Sequence, residues 1–178
     1  MDSGNNNDNL TAAYAEGTAI IRVEGRGSFK ISPPLKQFIH KVIDEKSAKK
    51  VLIEMSQCTG MDSTFMGLIA GIACYLKNRP EVTFELINLS ERNKKLLVTL
   101  GVDRVVNYSM SATDEQNALI KRLSASARSV EMEQGNKLEA AKTTLEAHTT
   151  LVNINPDNLI KFKSVLEYLQ NDVRKLTR

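Results

Sequence analysis

The chain has 178 residues, of which 42% are apolar and 25% charged, with a formal net charge of +3. This composition suits a globular domain, alone or carrying an extension, and excludes a disordered or fibrous chain. The basic residues are scattered among acidic ones, which leaves no electrostatic footprint for nucleic acid.

Residues 1–10 are rich in Asn, Asp, Ser and Gly, and such a segment buries too little apolar surface to offset its ordering entropy. Residues 1–17 are therefore expected to be a flexible tail. The tail also lacks the basic and apolar regions of a signal peptide, and no segment approaches the ~20 apolar residues of a membrane span. The expected location is the cytoplasm, with no membrane insertion.

The stretch Thr18-Ala19-Ile20-Ile21-Arg22-Val23-Glu24-Gly25 predicts a strand. Gly25-Arg26-Gly27 then predicts a hairpin turn into Ser28-Phe29-Lys30-Ile31. Gly25-Arg26-Gly27-Ser28 is no phosphate loop, because neither a Lys-Ser/Thr ending nor an immediate helix follows it. Ser32 as cap and Pro33-Pro34 in the first turn open a helix whose Leu35, Phe38, Ile39, Val42 and Ile43 share a face. Val51-Leu52-Ile53-Glu54-Met55 reads as a central strand buried on both sides.

After Asp62-Ser63, the apolar run from Phe65 to Leu76 predicts a buried helix that stops at Asn78-Arg79-Pro80. Val82-Thr83-Phe84-Glu85-Leu86-Ile87 is the next strand. Ser90 caps a third helix ending at Gly101, and Arg104-Val105-Val106-Asn107-Tyr108 forms a last short strand. Strands alternating with helices predict an α/β layered domain over residues 18–112, built on a mixed sheet of about five strands.

Residues 113–178 change character. Apolar or small residues at 119, 123, 127, 130, 138, 141, 145, 148 and 152 keep helical spacing, interrupted at Gly135. Asn155 as cap and Pro156 at the first position restart a helix with Leu159, Phe162, Leu166, Leu169, Val173 and Leu176 at heptad steps. This predicts a C-terminal helical hairpin that must bury its stripe on itself, on the α/β domain or on a second copy.

Only Cys58 and Cys74 are present, with no CxxC pair, and His40 and His148 lie in helical patterns. This suggests neither a disulfide framework nor a metal site, and no cofactor fingerprint occurs. The thiols are expected to be small buried apolar residues and the histidines solvent-edge ones. No GxSxG, HExxH or P-loop pattern appears, so the chain does not read as an enzyme.

The order of elements resembles that of STAS domains, named for sulfate transporters and anti-sigma-factor antagonists. Three stretches carry the resemblance: Val51-Leu52-Ile53-Glu54-Met55, Asp62-Ser63-Thr64-Phe65-Met66-Gly67, and Asn88-Leu89-Ser90-Glu91-Arg92 followed by Leu96-Leu97 and Leu100-Gly101-Val102. In antagonists of this family an Asp-Ser-Ser/Thr-Gly motif enters the helix after the central strand. Its first hydroxyl is phosphorylated by a partner kinase that is also the anti-sigma factor. The resemblance implies Ser63 as that hydroxyl, with Thr64 second, and Asp62, Ser63, Thr64, Phe65, Met66 and Gly67 as the partner-binding segment. Phe65 stands where the family usually has glycine, and the helical extension is not part of the resemblance.

The resemblance therefore implies an anti-sigma factor antagonist that binds a serine kinase/anti-sigma factor and is switched off when Ser63 is phosphorylated. On spacing alone, Asp-Ser-Thr ahead of an apolar run is equally an ordinary N-cap cluster. The alternative is a STAS-type scaffold or complex subunit, which either forms a homodimer through the C-terminal helices or serves as a soluble subunit of a transport system.

Overall fold

The computed structural model describes residues 8–130 and 136–177. Its centre is β3 (Lys50–Glu54), where every residue from Val51 onward is buried, as a strand covered on both faces requires. β3 runs parallel to β2 (Thr18–Gly27) on one side and β5 (Thr83–Ile87) on the other, with Ile53 opposite both Ile21 and Leu86. β6 (Asn107–Tyr108) continues in parallel beyond β5. β1 (Asn9–Ala15) and then β7 (Arg128–Ser129) add antiparallel on the β2 side, and β4 (Cys58–Met61) pairs with the far end of β2. The result is a mixed sheet of seven strands, in the order β6-β5-β3-β2-β1-β7 with β4 beside β2.

Alternation along the strands divides the core between two faces. Ile21, Ile53 and Leu86 point toward α1 (Ser32–His40), α2 (Ser63–Leu76) and α3 (Glu91–Leu100), where Leu35, Ile39, Phe65, Ile69 and Leu97 complete the main core. Ala13, Ile20, Leu52 and Ile87 point the other way and meet Leu119, Ile120 and Leu123 of α4 (Asp114–Ser124). Two longer helices follow, α5 (Lys137–Ile154) and α6 (Asn158–Leu176), and they form a hairpin-like pair on the α1–α2 side.

Several expectations need correction. Residues 9–15 are not tail but strand. The two-residue turn Glu16-Gly17, with both residues at positive φ, folds β1 back onto β2 in the geometry that matches strand twist. The hairpin predicted at Gly25-Arg26-Gly27 does not form: β2 runs on through Gly27 and residues 28–31 form no strand. Ser32 lies inside α1, where its hydroxyl donates to the Ser28 carbonyl, and Ile31 is the cap. The helical spacing read across 113–178 belongs to separate elements: α4, capped by a reciprocal Thr113–Gln116 box, covers the sheet, and β7 extends it. The predicted break at Gly135 lies outside the described residues. Asn155 ends α5, and Asp157 rather than Asn155 precedes α6. Cys74 is exposed.

An ion pair between half-buried Arg22 and buried Glu54 ties β2 to the end of β3. The side chain of Glu54 is 2% exposed and accepts from Arg22 Nε at 2.9 Å, from the Ser56 amide at 2.8 Å and from Asn88 Nδ2 at 3.1 Å. Asn88 Oδ1 in turn accepts from the Ala112 amide at 2.7 Å, which joins β2, β3 and the end of β5 to the approach of α4. Burial pushes the Glu54 carboxyl up, but the hydrogen bonds from Ser56, Asn88 and Arg22 outweigh it and hold the group below its ordinary value. Glu54→Gln should lower stability at neutral pH by about 1–3 kcal/mol, because the half-buried Arg22 and the other donors lose their charged acceptor. A carboxyl with a lowered folded pKa stabilises above its unfolded pKa of ~4.3 and ceases to as pH falls through the folded value. Urea titrations of both proteins should therefore show the gap closing in acid; an equal gap at every pH would reject this assignment.

Candidate functional site

The site forms where β4 delivers the chain to α2. Asp62 is the N-cap in extended conformation, and its Oδ1 accepts from the Phe65 amide at 2.9 Å. Its Oδ2 accepts from the Phe29 amide at 2.8 Å, and its own amide donates to the Gly27 carbonyl at 2.9 Å. One residue thus fixes the start of α2 against the end of β2 and the turn beyond it.

Phe65, at the position where the resemblance implies a glycine, is accommodated inward. It is completely buried, and its ring lies against Gly27, where a Cβ would come within 2.7 Å of the ring. The missing side chain at residue 27 makes room for the extra ring at residue 65. The bulk therefore adds to the core rather than to the protein's surface.

The partner-binding segment read from sequence is only partly accessible. Asp62 and Ser63 are half-buried, whereas Thr64, Phe65, Met66 and Gly67 are buried. Four of the six residues read as a contact segment are therefore covered in this structure, for two physical reasons. Phe65 and Met66 turn into the core at helical period, and α5 lies across another part of α2. A Cβ on Gly67 would stand 2.3 Å from the Ala147 carbonyl oxygen, and one on Gly71 would stand 3.6 Å from Thr150 Oγ1. Small residues four apart let the two helix backbones approach this closely.

The residue that sequence reasoning missed is His148. It was expected at the solvent edge, yet it is 4% exposed and its Nε2 lies 3.0 Å from Ser63 Oγ. Its Nδ1 lies 2.8 Å from the Thr144 carbonyl, and Phe162 of α6 meets the ring edge-on at 4.9 Å between centroids. A carbonyl only accepts, so this contact assigns the proton to Nδ1; in the neutral ring Nε2 then accepts from the Ser63 hydroxyl. The signal was in the pattern: residue 148 falls on the same helical stripe as 141 and 145, the inward face of α5.

His40 is half-exposed at the end of α1 and stacks on Tyr75 at 4.9 Å. Cys58 is buried, and burial pushes its thiol above the ordinary value, which disfavours a reactive thiolate. Among the described residues no cluster of three His, Cys, Asp or Glu could hold a metal, and no helix is long and apolar enough to cross a membrane.

A seven-stranded mixed sheet with this order of elements and a capped serine at the start of α2 defines a STAS-type fold. Residues 9–116 match the STAS domain family, and the chain belongs to that family. Among solved structures, it is similar to the anti-sigma factor antagonist SpoIIAA in its unphosphorylated form, at 19% identity and a TM-score of 0.52, covering 64% of this chain and 95% of that one. It is also similar to a Thermotoga maritima protein described as a candidate anti-sigma factor antagonist, at 17% identity and a TM-score of 0.51, covering 62% of this chain and 92% of that one. At these identities the likeness is one of fold. No curated protein sequence matches the chain significantly. α5 and α6 lie beyond the family match.

Replacing Asp62 with Ala removes the cap of α2 and the Phe29 tether together. Its stability in urea should fall by about 1–3 kcal/mol, with Asp62→Asn losing less because one amide oxygen still accepts. Equal stability of Asp62→Ala and the unaltered protein would refute the anchoring role.

Proposed function

We propose that the chain is an anti-sigma factor antagonist that binds a serine kinase/anti-sigma factor through the start of α2 and lets go when Ser63 is phosphorylated. The observation that carries this reading is the placement of Ser63: it is the first residue of α2, and its hydroxyl is the site's half-buried side-chain nucleophile, whereas the hydroxyl residue after it, Thr64, is 5% exposed. The family membership of residues 9–116 and the naming of SpoIIAA as an anti-sigma factor antagonist support it. In this reading the protein acts in the cytoplasm, as a regulator of transcription rather than as an enzyme.

A phosphate on Ser63 adds roughly −1.5 to −2 charges at a helix N-terminus, which the helix dipole favours and the Asp62 carboxylate opposes. These local effects largely cancel, so the start of α2 stays helical. The larger effect is on a partner, which would have to bury a dianion where it had met a hydroxyl.

Incubation with a serine kinase of the anti-sigma factor class, followed by peptide mass mapping, should place phosphate on Ser63. Ser63→Ala should abolish the modification and Thr64→Ala should not. Ser63→Asp should weaken kinase binding ~100-fold or more, the loss that follows from burying an unpaired charge. Phosphate found elsewhere, together with intact binding by Ser63→Asp, would sink the proposal.

A second reading, assembly through the C-terminal helices, is favoured by the outer surface of α6. Ile160 is 91% exposed, Tyr168 69% and Leu159 48%, an unusual exposure of large apolar side chains along one helix. If α6 joins two copies, Ile160→Glu combined with Tyr168→Glu should halve the mass measured by light scattering. An unchanged mass would discard this reading.

A further inference from the structure

The antagonist reading requires a partner to reach Ser63 and α2, and in this structure the chain's own α5 already lies there. We propose that the α5–α6 hairpin is an intramolecular lid: it occupies the docking face of α2 and holds the Ser63 hydroxyl on His148, so that kinase binding and phosphorylation require it to lift. This inference rests on the reading of Ser63 as the phosphorylated switch.

The geometry excludes simultaneous occupancy. Ser63 Oγ and His148 Nε2 are 3.0 Å apart, so the hydroxyl is engaged by the imidazole and a phosphoryl group directed along that contact would meet the ring. At Gly67 the α5 backbone is so close that even one methyl group on α2 would overlap the Ala147 carbonyl. No partner side chain enters that contact without displacing α5.

The seam is also built to open. α5 buries Ala141, Thr143, Ala147, His148 and Leu151, of which Leu151 alone is a large aliphatic side chain. Most of the buried surface is small or polar, so the hydrophobic gain per helical turn is low compared with that of α2, which buries Phe65, Met66, Leu68, Ile69, Ile72 and Leu76. Ile154 and Phe162 also pack partly buried against the main core, and specific polar contacts supply the other fastenings. Lys36 of α1 pairs with Glu146, and Asn158 donates to the Leu100 carbonyl of α3 at 2.9 Å and, within the hairpin, to the Leu151 carbonyl at 2.8 Å. Lys161 donates to the Thr99 carbonyl at 3.2 Å. Phe162 of α6 braces the ring of His148 from behind, so the two helices act on the seam as a unit. A lid that leaves only ~1% of molecules open raises the apparent dissociation constant of the partner ~100-fold, and releasing it restores that affinity.

Two sets of full-length variants test the lid. Ala147→Arg places a long charged side chain in the α2–α5 contact without altering the family-matched residues 9–116. Gly71→Cys with Thr150→Cys, in a Cys74→Ser background, puts two thiols within disulfide reach across the seam and locks it. The lid predicts that Ala147→Arg is phosphorylated ~10-fold faster or more, and that the oxidised lock is refractory until reduced.

A kinase-independent readout accompanies them: alkylation of Ser63→Cys, mapped by mass, should be slow alone and ~10-fold faster with Ala147→Arg. Equal alkylation in both backgrounds, or phosphorylation of the oxidised lock at the rate of the reduced protein, overturns the lid. Should Ala147→Arg fail to fold, the oxidised and reduced lock still decides, since the two forms differ by one bond. If alkylation behaves as expected but no form is phosphorylated on Ser63, the lid stands and the functional reading of Ser63 falls.

Discussion

The Asp62 carboxylate accepts from two backbone amides, Phe65 in α2 and Phe29 beyond β2, and the site depends on that double acceptance. It sets where α2 begins and at what angle the helix leaves the sheet. From this start, one residue on, Ser63 meets His148; three on, Phe65 fills the space above Gly27; five on, Gly67 admits the backbone of α5. A capping interaction of about 1 kcal/mol in a peptide thus controls a geometry whose parts come from β2, α2 and α5.

Much of the fold was legible in the sequence because its strongest signals are local. Val51-Leu52-Ile53 is apolar enough to require cover on both faces, and β3 has it. Ser90 and Gly101 bound α3 as their chemistry requires: the serine oxygen accepts from the Asn93 amide, and the glycine sits at φ 75°. What escaped was set by pairing. β1, with the sequence NLTAAYA, has too few β-branched residues to announce itself and is a strand because β2 offers it a ladder on one side and β7 on the other. β4 exists because β2 is long enough to present Gly25 and Gly27 to Cys58 and Met61. α4 shares its periodicity with the helices after it, and spacing alone does not distinguish a helix that covers a sheet from one that packs on another helix.

At the site, the sequence located the residues but not their surroundings. Asp62 as cap and Ser63 at the first position of α2 are where the pattern put them. Phe65, read from sequence as part of the partner-binding segment, is a core residue matched by Gly27. His148 lies 85 residues from Ser63 in sequence, and its pairing depends on how α5 lands, which no local signal encodes. Gly67 and Gly71 hinted at it: two glycines one helical turn apart in a buried helix imply close approach by another backbone, here that of α5.

The STAS fold, the Asp62-capped start of α2 and the covering hairpin describe a protein in which the proposed contact helix is already packed against its own chain. The most direct test of that account is the distance between α2 and α6 in solution. Cys74, exposed on α2, and a cysteine replacing the exposed Tyr168 accept spin labels without entering the α2–α5 seam. Pulsed electron resonance should give one narrow distance for the free protein and a longer, broader one in complex with the kinase. A single unchanged distance in a complex that phosphorylates Ser63 would contradict the account.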